Sequence, residues 1–113
     1  MFTLSSSNHF FLYSAPTDMR KSFDGLSGLV TNKLKGDPRS GAVFIFINKR
    51  GNKIKLLHWE AGGYVLYYKR LEKGTLERPL FKSNSGEITW PELMMIVEGI
   101  SLEKVKRRRR YTG

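Results

Sequence analysis

The run Ala42-Val43-Phe44-Ile45-Phe46-Ile47 leaves this chain little choice of architecture. It has the length of a strand, and apolar residues fill both alternating sets of positions. A strand that is apolar on both faces belongs inside a sheet, with something packed on each side. A hairpin follows. Lys49-Arg50-Gly51-Asn52 reads as its turn, with Gly51 and Asn52 tolerating positive φ, and residues 53–59 as the partner strand. The turn Glu60-Ala61-Gly62-Gly63 leads to a third strand over 64–71. A short further strand is expected within 75–81, at an edge because Pro79 interrupts it, and then a polar loop over 82–86.

The covering layers come from either side of this meander. Residues 9–13 read as a first short strand, ended by Ala15-Pro16. Thr17 or Asp18 then caps a helix whose apolar stripe is Met19, Phe23, Leu26, Val30 and Leu34. Lys33 and Lys35 suit the negative end of its dipole, Gly36 reads as the residue that turns out of it, and Pro38 prevents continuation. Gly25 and Gly28 each weaken it by about 1 kcal/mol relative to alanine, and offer close packing on a sheet in exchange. Thr89-Trp90-Pro91-Glu92 has capping-box spacing and opens a second helix, with Leu93, Ile96 and Val97 on its apolar face and Gly99 as its stop. The expected fold is α+β: a single antiparallel β meander of four to five strands with two short helices packed against it, one domain over 1–102, then a basic, disordered tail over 103–113.

The chain carries 20 Lys and Arg against 10 Asp and Glu, a formal charge of +10. The excess is clustered: residues 49–73 and 101–113 carry +5 each, whereas 74–100 carry −2. Such blocks attract polyanions, nucleic acid first; a merely solubilising surface is the alternative. Candidate phosphate contacts are Lys49, Arg50, Lys53, Lys55, Lys69, Arg70 and Lys73 in the meander, with Lys53 and Lys55 on one strand face and Ile54 and Leu56 on the other. Trp59, Tyr64, Tyr67 and Tyr68 either stack on unpaired bases or simply pack the sheet. Arg107, Arg108, Arg109 and Arg110 in the tail would add affinity without sequence readout.

Catalysis finds no constellation. His9 and His58 lack partners at metal-ligand spacing. Gly62-Gly63 precedes a strand and offers no helix N-terminus to a phosphate. Asp18, Asp24 and Asp37 would be the acids for magnesium-dependent chemistry, yet each has a structural explanation as cap, dipole partner or turn residue. With no cysteine there is no thiolate site and no disulfide. The expectation is a non-enzymatic protein without cofactor or metal. No stretch reaches the roughly 18 apolar residues of a membrane span, and the expected location is the cytoplasm.

Four blocks of sequence carry a resemblance. They are Asp18-Met19-Arg20-Lys21-Ser22-Phe23-Asp24-Gly25-Leu26, the stretch 44–57 closing on Trp59, Tyr68-Lys69-Arg70-Leu71-Glu72-Lys73-Gly74, and the looser helix 93–100. Over residues 8–100 the chain resembles the TnpB-type accessory proteins encoded by a small second reading frame of the insertion sequence sixty-six family, which are distinct from the RNA-guided nuclease sharing the TnpB name. The resemblance implies a bacterial mobile element whose separate, larger protein is the transposase, and a role assisting transposition. It departs from the family pattern at Arg78, where relatives carry an aromatic before the proline, and the arginine-rich tail lies outside the shared blocks. Arg20 and Lys21 fall in the first block at a helix start, where cations are mildly unfavourable. Either an external partner or an internal one, Asp24 or a carbonyl, compensates them. The expected partners are DNA and the element-encoded transposase.

Overall fold

The computed structural model describes residues 4–76 and 86–98. Its elements are β1 (Phe10–Leu12), α1 (Phe23–Asn32), β2 (Val43–Ile47), β3 (Lys53–Glu60), β4 (Gly63–Arg70), β5 (Glu87–Ile88) and α2 (Trp90–Glu98). The five strands form one sheet in the order β4-β3-β2-β1-β5. All five residues of β2 are buried, as a strand apolar on both faces demands. Val43, Ile45 and Ile47 join Phe10, Leu12, Ile54 and Leu56 in a core closed by Leu93 and Ile96 of α2. Phe44 and Phe46 join Leu57 on the opposite face, under Leu26 and Val30 of α1.

The sheet is mixed, not wholly antiparallel. β1 pairs with β2 in parallel, Phe10 opposite Val43, while the β2–β3, β3–β4 and β1–β5 pairs are antiparallel. A parallel pair needs a long crossover, usually helical, and α1 supplies it between β1 and β2. The fifth described strand is Glu87–Ile88; of the segment 75–81 only Thr75 and Leu76 are among the described residues, and they lie beside the first hairpin, with the Leu76 N–H donating to the Gly51 carbonyl at 2.7 Å. Gly86, at φ +76, is where β5 joins: a Cβ there would stand 2.8 Å from the Leu12 carbonyl oxygen, and the Leu12 N–H donates to the Gly86 carbonyl.

The first helix differs in detail from the expectation and the second follows it. α1 begins at Phe23 after Ser22, not at Thr17 or Asp18, because the Asp18 carboxylate is taken by Arg20. Leu26 and Val30 are buried as the stripe requires, but Phe23, in the first turn, is 43% exposed. The left-handed residue at the far end is Lys35 (φ 55) rather than Gly36, whose N–H donates to the Val30 carbonyl at 3.0 Å. Gly28 has open space beside it, so close packing does not explain it. In α2 the capping box is present: the Thr89 N–H donates to Glu92 Oε1 at 2.9 Å and the Glu92 N–H to Thr89 Oγ1 at 3.3 Å. Gly99, Arg78 and the tail arginines lie outside the described residues. Among the described residues no helix is long and apolar enough to cross a membrane.

Candidate nucleic-acid interface

The first hairpin is fixed from within. Asn48 Oδ1 accepts from the N–H groups of Asn52 and Lys53, both at 3.0 Å, and Asn48 Nδ2 donates to Asn52 Oδ1 at 2.8 Å. Gly51 alone takes positive φ there (73°); Asn52 contributes through its side chain instead. From outside, the Leu71 N–H donates to the Asn52 carbonyl at 2.7 Å. Lys49 and Arg50 are therefore exposed on a rigid turn.

Register sets the rest. On the α1 side of the sheet the β3–β4 pairs run Trp59–Tyr64, Leu57–Leu66, Lys55–Tyr68 and Lys53–Arg70. The first two are covered or stacked; Trp59 and Tyr64 meet edge-on at 4.9 Å, and the Arg39 guanidinium lies 4.9 Å from the Trp59 ring centre. The last pair sets two cations directly opposite, an arrangement unfavourable in a sheet unless an anion relieves it. Arg70 has Glu72 at 3.0 Å, with both side chains well exposed.

Lys55 departs from the expectation. It shares a face with Lys53, as alternation requires, but it is only 5% exposed and unavailable to a phosphate. Its Nζ donates to the carbonyls of Met19 and Lys21 at 2.7 Å each and lies 4.6 Å from the Tyr68 ring centre. Burial pushes its pKa down, partly opposed by the charge of Asp18. The ammonium is thus a clamp that holds the loop before α1 against the sheet. Lys69 is likewise engaged, donating from Nζ to the Val97 carbonyl at 2.6 Å near the end of α2, on the opposite face.

The clamped loop brings Arg20 to the hairpin. A cleft of about 390 Å³ is lined by Thr17, Asp18, Met19, Arg20, Asn48, Lys49, Arg50, Lys53 and Tyr68. A neighbouring one of about 300 Å³ is lined by Lys53, Tyr68, Arg70 and Glu72. Residues from separate sequence blocks, far apart in the chain, so form one surface. Arg20 pairs with Asp18, not Asp24: its Nη2 lies 2.7 Å from Oδ2 and its backbone N–H donates to Oδ1 at 2.9 Å. The Arg20 side-chain hydrogen bond, aided by the backbone one, holds the Asp18 carboxyl down at about 2. Among the described residues Lys49, Arg50 and Lys53 have no carboxylate partner. Thr17 is buried, and its hydroxyl has no hydrogen-bond partner among the described residues.

Of the expected contacts, Arg20, Lys49, Arg50, Lys53 and Arg70 come together. Lys55 and Lys69 are withdrawn into the structure, and Lys73 is exposed but lines neither cleft. Lys21 also lines neither; its stem lies against α1, 3.1 Å from where a Cβ on Gly25 would stand. Thr17, Asn48 and the Asp18–Arg20 pairing are additions to the expected set, though Asp18 and Arg20, two apart, have the spacing of a side-chain-capped turn. Arg107, Arg108, Arg109 and Arg110 fall outside the described residues. Among the described residues no three histidine or acidic side chains group as metal ligands.

A family model described as "IS66 Orf2 like protein" matches residues 8–107, further along the chain than the four blocks and into the start of the basic tail. The chain is 32% identical over 93 residues to the uncharacterised protein y4jC of Sinorhizobium fredii (strain NBRC 101917 / NGR234), covering 82% of this chain and 80% of that one. To the uncharacterised protein y4hO of the same strain it is 31% identical over 84 residues, covering 74% and 73%. No solved structure matches the chain.

Proposed function

The chain belongs to the IS66 Orf2-like family, and from that premise we propose that it serves its insertion element as a non-catalytic accessory that holds DNA in the cleft between the Arg20 loop and the first hairpin. The observation that carries this reading is the convergence of Arg20, Lys49, Arg50 and Lys53 on one cleft, three of them without a carboxylate partner among the described residues. Cations gathered on a rigid frame repel one another, and a phosphate backbone relieves that repulsion while releasing its own counterions. The role is positional: such contacts set where DNA lies, and base contacts would be needed to choose its sequence.

The test is fluorescence anisotropy with a labelled duplex across a salt series. Wild type is expected to lose affinity steeply as salt rises. An Arg20→Ala/Lys49→Ala/Lys53→Ala variant is expected to flatten the log–log slope by about 2–3, roughly one for each phosphate no longer neutralised. Truncation after Leu102 is expected to cost less than this triple change. If truncation alone matters, the cleft is not the site.

A second reading makes the protein an interaction module that meets the transposase without touching DNA. It is favoured by the outer edge of β4, an eight-residue strand with no described strand paired beyond it. Unpaired strand edges recruit further strands. Co-purification with the transposase in the absence of any DNA affinity would select this reading over the first.

A further inference from the structure

The cleft contains an aromatic ring that phosphate binding alone does not use. Tyr68 is 51% exposed and lines both adjoining clefts, so it stands between the Arg20–Lys49–Arg50–Lys53 group and the Lys53–Arg70 pair. Its ring is held in place by the Lys55 ammonium 4.6 Å from the ring centre, and that ammonium is anchored by two backbone carbonyls. A half-exposed aromatic with its plane already fixed loses little conformational freedom on binding. The like-charged pair Lys53–Arg70 lies one same-face step along the strands, about 7 Å away, within the span of a single nucleotide.

Resting on the DNA-binding reading above, we propose that this site takes single-stranded nucleic acid, with an unpaired base stacked on Tyr68 and the flanking phosphates on Lys53 and Arg70 on one side and on Arg20, Lys49 and Arg50 on the other. In a duplex the base faces are covered by their neighbours and only the edges show in the grooves. A ring set among phosphate-binding cations can therefore meet a base face only where the strands are parted. Stacking of this kind tolerates any base, because every base has a π face. The sheet surface thereby separates unpaired from paired DNA without reading sequence.

The experiment compares three labelled probes by anisotropy: an oligothymidylate, an abasic phosphodiester strand of equal length, and a duplex. Each is measured with wild type, Tyr68→Ala, Tyr68→Phe and Lys53→Ala/Arg70→Ala, and thermal melting verifies that each variant folds. Wild type is expected to bind the base-bearing strand roughly tenfold or more tighter than the abasic one. Tyr68→Ala is expected to abolish that difference, while Tyr68→Phe preserves it. Lys53→Ala/Arg70→Ala is expected to weaken all three probes in a salt-dependent way. Equal wild-type binding of abasic and base-bearing strands overturns the stacking proposal and leaves the phosphate reading standing, and no wild-type binding to any probe overturns both. The abasic comparison needs no variant at all, so it decides the matter even if Tyr68→Ala disturbs the fold.

Discussion

Two ends of one sheet face differ in almost everything but strand geometry. At one end Phe44, Phe46 and Leu57 lie beneath Leu26 and Val30 of α1 and are buried. At the other, on the same face of the same sheet, stand Lys53, Tyr68 and Arg70, with no described helix above them. Lys55 marks the boundary: it is two residues from Lys53 on one strand face, yet it is capped by the carbonyls of Met19 and Lys21. The periodicity of a strand decides which face a side chain takes, and only what packs above decides whether it meets solvent. On the proposed reading, stability is concentrated at the covered end and recognition at the bare one.

That contrast can be broken from either side. Phe46→Ala should cost the most, about 3–5 kcal/mol, measured by denaturant unfolding, while nucleic-acid affinity per folded molecule stays unchanged. A large loss of affinity in the folded fraction would mean that the two ends are coupled. Lys55→Ala should cost about 2 kcal/mol, because two carbonyls lose their donor, and it should also weaken binding by freeing the Arg20 loop. Its signature is a pH dependence. The native amine has a pKa below the 10.5 of the free side chain, so between the two values the unfolded chain holds the extra proton, and stability rises with pH across that window. The rise should vanish in Lys55→Met. Lys53→Ala should change stability by no more than about 0.5 kcal/mol, and in the stabilising direction, since it removes one of two opposed cations.

Asp18→Asn should move stability least and sharpen the contrast most. The asparagine still accepts the Arg20 backbone N–H but returns the guanidinium to the cleft, so affinity should rise several-fold and its salt dependence should steepen. The native pair should keep its contribution above pH 3.8 and lose it only as pH falls through about 2. An NMR titration of the Asp18 carboxyl, with Arg20→Ala restoring an ordinary midpoint, measures this directly.

Much of this is legible in the residues. The doubly apolar run sets β2 at the centre, the turn chemistry sets both hairpins, and Thr89-x-x-Glu92 sets the start of α2. The parallel β1–β2 pair is harder to read although its signal is there, a strand, a helix and a strand in succession, because the hairpins argue for a meander throughout. Lys55 misleads for a different reason. The carbonyls that bury it belong to residues 34 and 36 positions away in sequence, and no local pattern reports a contact at that range. The cleft shares this property, since Arg20 meets Lys49 only through the tertiary fold.

The place of β1 in the sheet also governs the order in which the fold can assemble. β2, β3 and β4 are joined by short turns and can zip in sequence, whereas the β1–β5 seam pairs groups such as His9 and Glu87, 78 residues apart. Each doubling of the loop to be closed adds about 0.6 kcal/mol of entropy, and pairings of long range form slowly. Residues 43–70, which carry Lys49, Arg50, Lys53, Tyr68 and Arg70, are expected to pair before the seam closes, and the loop bearing Arg20 completes the cleft only when it docks on Lys55. Hydrogen exchange should show the seam opening first and the cation-bearing hairpins last. On the proposed reading, the cation-bearing hairpins would then be the first part of the fold to form and the last to open.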